Sequence, residues 1–131
     1  MNTNEREQVA KDIFQKCLKL MEGKGKEYSG NVDILSNFKR NADNLGLTKY
    51  QVLMIYMAKH FDSVLSEIKK HPEFPTDASE PFESRITDLI NYLILLQCLR
   101  LESMIPAGAV IPVKSVKDNI YLQQIKELAN E

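Results

Sequence analysis

Residues 83–99 read ESRITDLINYLILLQCL, a run in which charged and amide side chains lead into an almost unbroken apolar stretch. At about 100° per residue, Glu80, Ser84, Thr87 and Asn91 fall on one stripe of a helix, Glu83 and Asp88 lie on its flanks, and Arg85 sits a step beyond Asp88. Phe82, Ile86, Leu89 and Leu93 fall opposite and are expected to pack. Carboxylates so placed can hold a divalent cation, an amide can read a sugar or base edge, and a guanidinium can grip phosphate. Asp88 lies too far into the helix to be solvated as a matter of course, and a buried carboxylate needs a cation, a metal ion or an arginine beside it. Arg85, three residues earlier, is the nearest candidate. The plainer account is that these are the wet first turns of a helix, where acids suit the helix dipole; it fits Glu80 best.

A second polar line crosses another apolar segment. In MIYMAKHFDSVLSEI, Lys59, Ser63 and Glu67 recur at i, i+4 and i+8, with His60 beside Lys59. This line is expected to form the facing wall of a pocket, with Lys59 and Asp88 directed to a common cavity. No second His, Cys or carboxylate gives His60 a zinc-type spacing. The segment GKGKEYSGN adds Lys26 and Tyr28 on what reads as a glycine-rich turn, although the phosphate-loop pattern GxxxxGK[ST] is absent.

These residues need helices to position them, and the chain predicts little else. Val9, Ile13, Cys17 and Leu20 or Met21 recur at helical spacing over residues 5–21, and the two glycines of EGKGKEYSGN are expected to stop that helix. Phe38, Ala42 and Leu45 mark a short helix closed by Gly46. Thr48 and Gln51 have capping-box spacing and open a long apolar helix through about residue 68. The proline-rich HPEFPTDASEP connects it to a helix over about residues 80–103, with Ser79 as its cap. IPAGAVIP then breaks the chain, residues 109–113 are the one place that could be extended, and Ile120, Ile125 and Leu128 give residues 114–130 an apolar side. The expected architecture is a single all-α domain over residues 1–131, a helical bundle of about four to five helices. Its core spans residues 1–104, and residues 105–131 form an extension with a short helix.

Composition narrows the function classes. With 131 residues and 44% hydrophobic content the chain can bury a core without cross-links. Seventeen basic against eighteen acidic residues leave a net charge of -1, so nothing advertises nucleic-acid binding. Cys17 and Cys98 sit in apolar-periodic segments with no CxxC pair, as expected of reduced thiols in a cytoplasmic protein. No run approaches the roughly 20 apolar residues of a membrane span. Apolar surface around Cys98 and the last segment suggests a homo-oligomer.

The order of these signatures resembles the phage and bacterial family called nucleotide modification associated domain 1. The residues that carry the resemblance are Lys26, Tyr28 and Ser29; Asn37, Phe38, Lys39 and Arg40; Lys59, His60 and Ser63; and Glu80 or Glu83, Arg85, Ile86, Asp88, Leu89, Asn91 and Tyr92. It spans roughly residues 24–99. More distantly, acids on successive helices look like the MazG-like all-α nucleoside triphosphate pyrophosphatases, although the Glu-Glu-x-x-Glu motif of those enzymes is missing. The resemblance implies nucleotide metabolism, with a (deoxy)nucleotide phosphohydrolase using Mg²⁺ as the leading expectation. Glu83 and Asp88 would then be catalytic, and Glu80, Glu83 and Asp88 would hold the metal. Lys26, Tyr28, Lys59, His60, Ser63, Arg85, Asn91 and Tyr92 would bind the nucleotide. The alternatives are a protein that sequesters a nucleotide, such as a host immune signal, without chemistry, and a structural helical adaptor.

Overall fold

A computed structural model of the chain describes residues 1–27, 33–76 and 81–105, with the backbone alone at residues 24–27. Among the described residues there are four α helices and no strand: α1 (Thr3–Glu27), α2 (Ser36–Leu45), α3 (Lys49–Lys70) and α4 (Phe82–Met104). The protein is an all-α helical bundle. The chain divides into two compact units, Met1–Leu96 and Gln97–Glu131, and the division falls inside α4.

Local chemistry accounts for most boundaries. Asn2 and Glu5 cap α1 reciprocally, each backbone N–H donating to the other's side chain at 2.7 and 3.0 Å. Asp33 organises the entry to α2: its side chain accepts from the Leu35 N–H at 2.9 Å and from Lys39 Nζ at 2.6 Å. Partial burial works against its charge, yet the Lys39 hydrogen bond, the Leu35 N–H and the charges of Lys39 and Lys49 outweigh that and lower its pKa. α2 ends at Gly46, whose φ of 65° lies in the left-handed region that glycine enters without a Cβ clash. The expected capping box on α3 is present in both directions, with the Gln51 N–H donating to Thr48 Oγ1 at 3.1 Å and the Thr48 N–H donating to Gln51 Oε1 at 2.9 Å.

The first helix departs from expectation. Instead of stopping at the glycines, α1 runs through Gly23 and Gly25 to Glu27. A glycine inside a helix costs about 1 kcal/mol relative to alanine, which weakens the backbone ladder without preventing it. Among the described residues Gly46 alone has a positive φ, so neither glycine of α1 takes the left-handed conformation that would end the helix there. Tyr28, the proposed cap Ser79, Glu80 and everything expected after residue 105 lie outside the described residues.

In the first unit Cys17, Leu35, Phe38, Ala42, Val52 and Leu53 are buried. α2 lies along α3, with the Phe38 ring meeting Tyr56 edge-on at 5.8 Å and Asn41 Nδ2 donating to Tyr56 Oη at 2.7 Å. Cys17 is a free thiol, and burial pushes its pKa up, so it acts as a small core residue. Leu93, expected to pack, is exposed. In the second unit Leu99 is fully buried, Ser103 Oγ donates to its carbonyl at 2.8 Å, and burial, aided by Glu102, raises the Cys98 pKa. No helix among the described residues is long and apolar enough to cross a membrane.

Candidate functional site between α3 and α4

The polar residues of α4 do not share one face. Glu83, Thr87 and Asn91 follow at i, i+4 and i+8, and Glu83 pairs with Lys16 of α1. Arg85, Asp88 and Tyr92 form a second stripe, roughly 130° around the helix from the first at about 100° per residue, and this one meets α3. The single polar side expected for α4 is therefore two stripes with different neighbours.

On the α1 side, Thr87 is buried and its hydroxyl donates back to the Glu83 carbonyl at 2.8 Å. Asn91 is 8% exposed, and its Oδ1 is buried with no hydrogen-bond donor among the described residues. Glu83, expected beside Asp88 at one metal ion, points instead to α1. The two carboxylates are five residues apart, about 140° around a helix, so one ion cannot sit between them.

On the α3 side the stripe has two levels. At the lower level Arg85, expected to partner Asp88, crosses to α3. Its Nη1 donates to the Ser63 carbonyl at 3.4 Å and lies 3.7 Å from Glu67 Oε2. Glu67 is only 3% exposed. Its Oε1 accepts from His71 Nδ1 at 2.8 Å, from the Thr76 N–H at 3.0 Å and from the Thr76 hydroxyl at 2.8 Å. Those donors, Thr76 first, hold the Glu67 pKa down at about 2, against the opposing effect of burial. A carboxylate can only accept, so His71 carries its proton on Nδ1 here. Glu67 therefore ties together the end of α3, the connection after it and Arg85 of α4. The sequence reading placed Glu67 on the polar line without giving it a role, and missed Thr76 and His71. The available signal was the i, i+4 spacing of Glu67 and His71 at the helix end, which carries no information about Thr76 folding back.

At the upper level, His60 Nδ1 lies 3.5 Å from Asp88 Oδ2, an ion pair whenever the imidazole is protonated. The His60 and Tyr92 rings are 5.0 Å apart at a 38° tilt. The side chains of His60 and Asp88 remain 29% and 23% exposed, so this level is reachable from outside. Burial, then the Asp88 charge, then Tyr56, raise the Tyr92 phenol and keep it a hydrogen-bond donor. Lys59, expected to point with Asp88 into a common cavity, is exposed. The side chain of Lys26, with Tyr28 and Glu80, lies outside the described residues.

Among the described residues no group of three His, Cys, Asp or Glu is gathered closely enough to hold a metal ion. Mg²⁺ takes near-octahedral oxygen coordination. On this side of α4 the donor set is Asp88, already beside an imidazole, and a Glu67 whose oxygens are engaged, so the described residues do not fit the expected ion. Comparison of the chain with protein-family models, curated proteins and solved structures gives no match.

Proposed function

We propose that this chain binds a nucleotide at the upper level of the α3–α4 face and acts in nucleotide metabolism, in keeping with the family it resembles. The observation that carries the reading is the partly open group of His60, Asp88 and Tyr92, two tilted rings and a carboxylate contributed by facing helices. Rings of this kind stack on a base. A carboxylate accepts hydrogen bonds from a base N–H or a sugar hydroxyl, and Lys59, one residue before His60, is a compact cation for phosphate. Arg85 supports the site from beneath by fixing α4 to α3.

Binding without hydrolysis is the version that the donor set favours, since Glu83 faces α1 and Asp88 alone is a thin ligand set. The specific observation for the catalytic version is the His60–Asp88 pair. A carboxylate beside Nδ1 favours the proton on that nitrogen, and the tautomer with Nε2 unprotonated can accept a proton from water. A thermal-shift panel of nucleosides, mono-, di- and triphosphates, with and without Mg²⁺, tests the first version. Stabilisation by nucleotides that is lost in Tyr92→Ala is expected. No stabilisation by any member of the panel would end the proposal, and conversion of a bound nucleotide on long incubation would decide for catalysis.

A further inference from the structure

α3 buries Val52 and Leu53 near its start, but beyond them its polarity is the reverse of an ordinary amphipathic helix. Its side toward α4 carries His60, Ser63 and Glu67, whereas its opposite side carries Met54, Ala58, Phe61, Leu65 and Ile68, every one of them exposed. Their spacing is four, three, four, three, the repeat of a coiled-coil seam, which matches another helix lying alongside and not a flat or irregular surface. Met54 is 59% and Phe61 51% exposed, Leu65 and Ile68 40% each, and Ile55 beside the seam 56%.

Five large side chains of on the order of 200 Å² each, about half exposed, leave on the order of 500 Å² of apolar surface in one strip. That is at the upper end of what monomers expose. With Ala58 and the half-buried shoulders Met57 and Val64, it approaches the roughly 800 Å² per partner of a stable interface.

We propose that this strip is a homodimer interface, formed by α3 of two copies of the chain packed antiparallel about a two-fold axis near residues 59–60. The four positions from Met54 to Leu65 are self-complementary in that register, and Ile68 at the end of the seam meets the stem of Gln51. Phe61 of each copy lies over Ala58 of the other, Met54 meets Leu65, and the apolar shoulders Met57 and Val64 face each other. A parallel pairing would set Phe61 on Phe61 and Ala58 on Ala58, crowding one layer and emptying the next. Sliding the antiparallel pair by one heptad would bring Asp62 against its own copy, two like charges at a dry seam.

The test is the mass of the full chain in solution, by light scattering and sedimentation equilibrium at tens of micromolar, on the order of the concentrations where modest interfaces hold. Wild type is expected at twice the 15.0 kDa chain mass. Phe61→Glu and, independently, Leu65→Gln should run at the single-chain mass with unchanged helical circular dichroism, while Phe74→Glu, on an exposed residue away from the seam, stays dimeric. Ala58→Phe alone should weaken the dimer at least tenfold, and Ala58→Phe combined with Phe61→Ala should restore it by exchanging the large and small positions. A wild type at the single-chain mass would overturn the proposal and leave the strip to another segment of the chain or to a different protein. A folded Phe61→Glu that remains dimeric would overturn it as well, and failure of the exchange to restore the dimer would overturn the antiparallel register.

Discussion

Glu67 concentrates the structural chemistry of this protein in one side chain, since a nearly buried carboxylate receives three donors and faces Arg85. Its pKa falls from the ordinary 4.5 to about 2 on folding. A depressed pKa means that the stabilisation is complete above the unfolded-state value and is lost as the pH falls from about 4.5 toward about 2. Thermal melts of wild type should therefore lose midpoint steeply across that window. Glu67→Gln should be flatter there and less stable at pH 7, because it removes the charge that faces Arg85 and accepts from His71 and Thr76. Equal slopes for the two proteins would show that Glu67 is not the group responsible. Asp88 is a different case, partly open, 3.5 Å from His60 Nδ1 and close enough to Tyr92 for its charge to act on the phenol. Asp88→Asn should leave the fold intact and weaken nucleotide binding by about 1 to 3 kcal/mol, the range for a lost charge-assisted hydrogen bond. Calorimetric titration of the two proteins with the same nucleotide reads that difference directly.

At the scale of the element, α3 organises the first unit. Its start is fixed by Thr48 and Gln51, His60, Ser63 and Glu67 meet α4, and in its N-terminal half Val52 and Leu53 are buried while Tyr56 meets Phe38 and Asn41 of α2. Thr48→Ala removes the side-chain acceptor of the capping box, and a loss of about 1 kcal/mol is expected. For a chain of this size that corresponds to a midpoint lower by roughly 3–5 °C. Gly46→Ala should cost a similar amount, about 1–2 kcal/mol, because φ of 65° forces a Cβ against the following carbonyl even though the space around it is open. A Gly46→Ala protein as stable as wild type would mean that α2 ends in another way in solution.

For the whole molecule, the outward apolar strip of α3 links stability to association. If two copies close over the Met54–Ile68 seam, the folded dimer is favoured by mass action, and the melting midpoint should rise with protein concentration. A midpoint constant over a hundredfold dilution, on the order of the range that two-state dimers resolve, would speak for a monomer. Phe61→Glu should abolish the concentration dependence and leave a lower midpoint at every concentration.

Much of this was legible in the sequence because it is local. Thr48 with Gln51, Gly46 after Leu45, and the 3.6-residue periodicity of Val9 to Cys17 each act within a few residues, so helix class and most helix ends follow from short-range hydrogen bonding and sterics. The glycines of α1 show the limit even there, since a weak preference against helix is not a turn. What only the tertiary structure decided is which stripe meets which neighbour. Periodicity says that Arg85 and Asp88 lie near each other on α4. It does not say that the long Arg85 side chain crosses to Glu67, that Asp88 takes His60, or that Glu83 turns to Lys16. The usual rule that apolar residues face inward also misassigns α3. Val52 and Leu53 do face inward, but from His60 on the inner face is polar and the apolar residues Phe61, Leu65 and Ile68 face outward, because Glu67, with three donors on one oxygen and Arg85 beside it, can occupy an interior that an apolar stripe would otherwise fill.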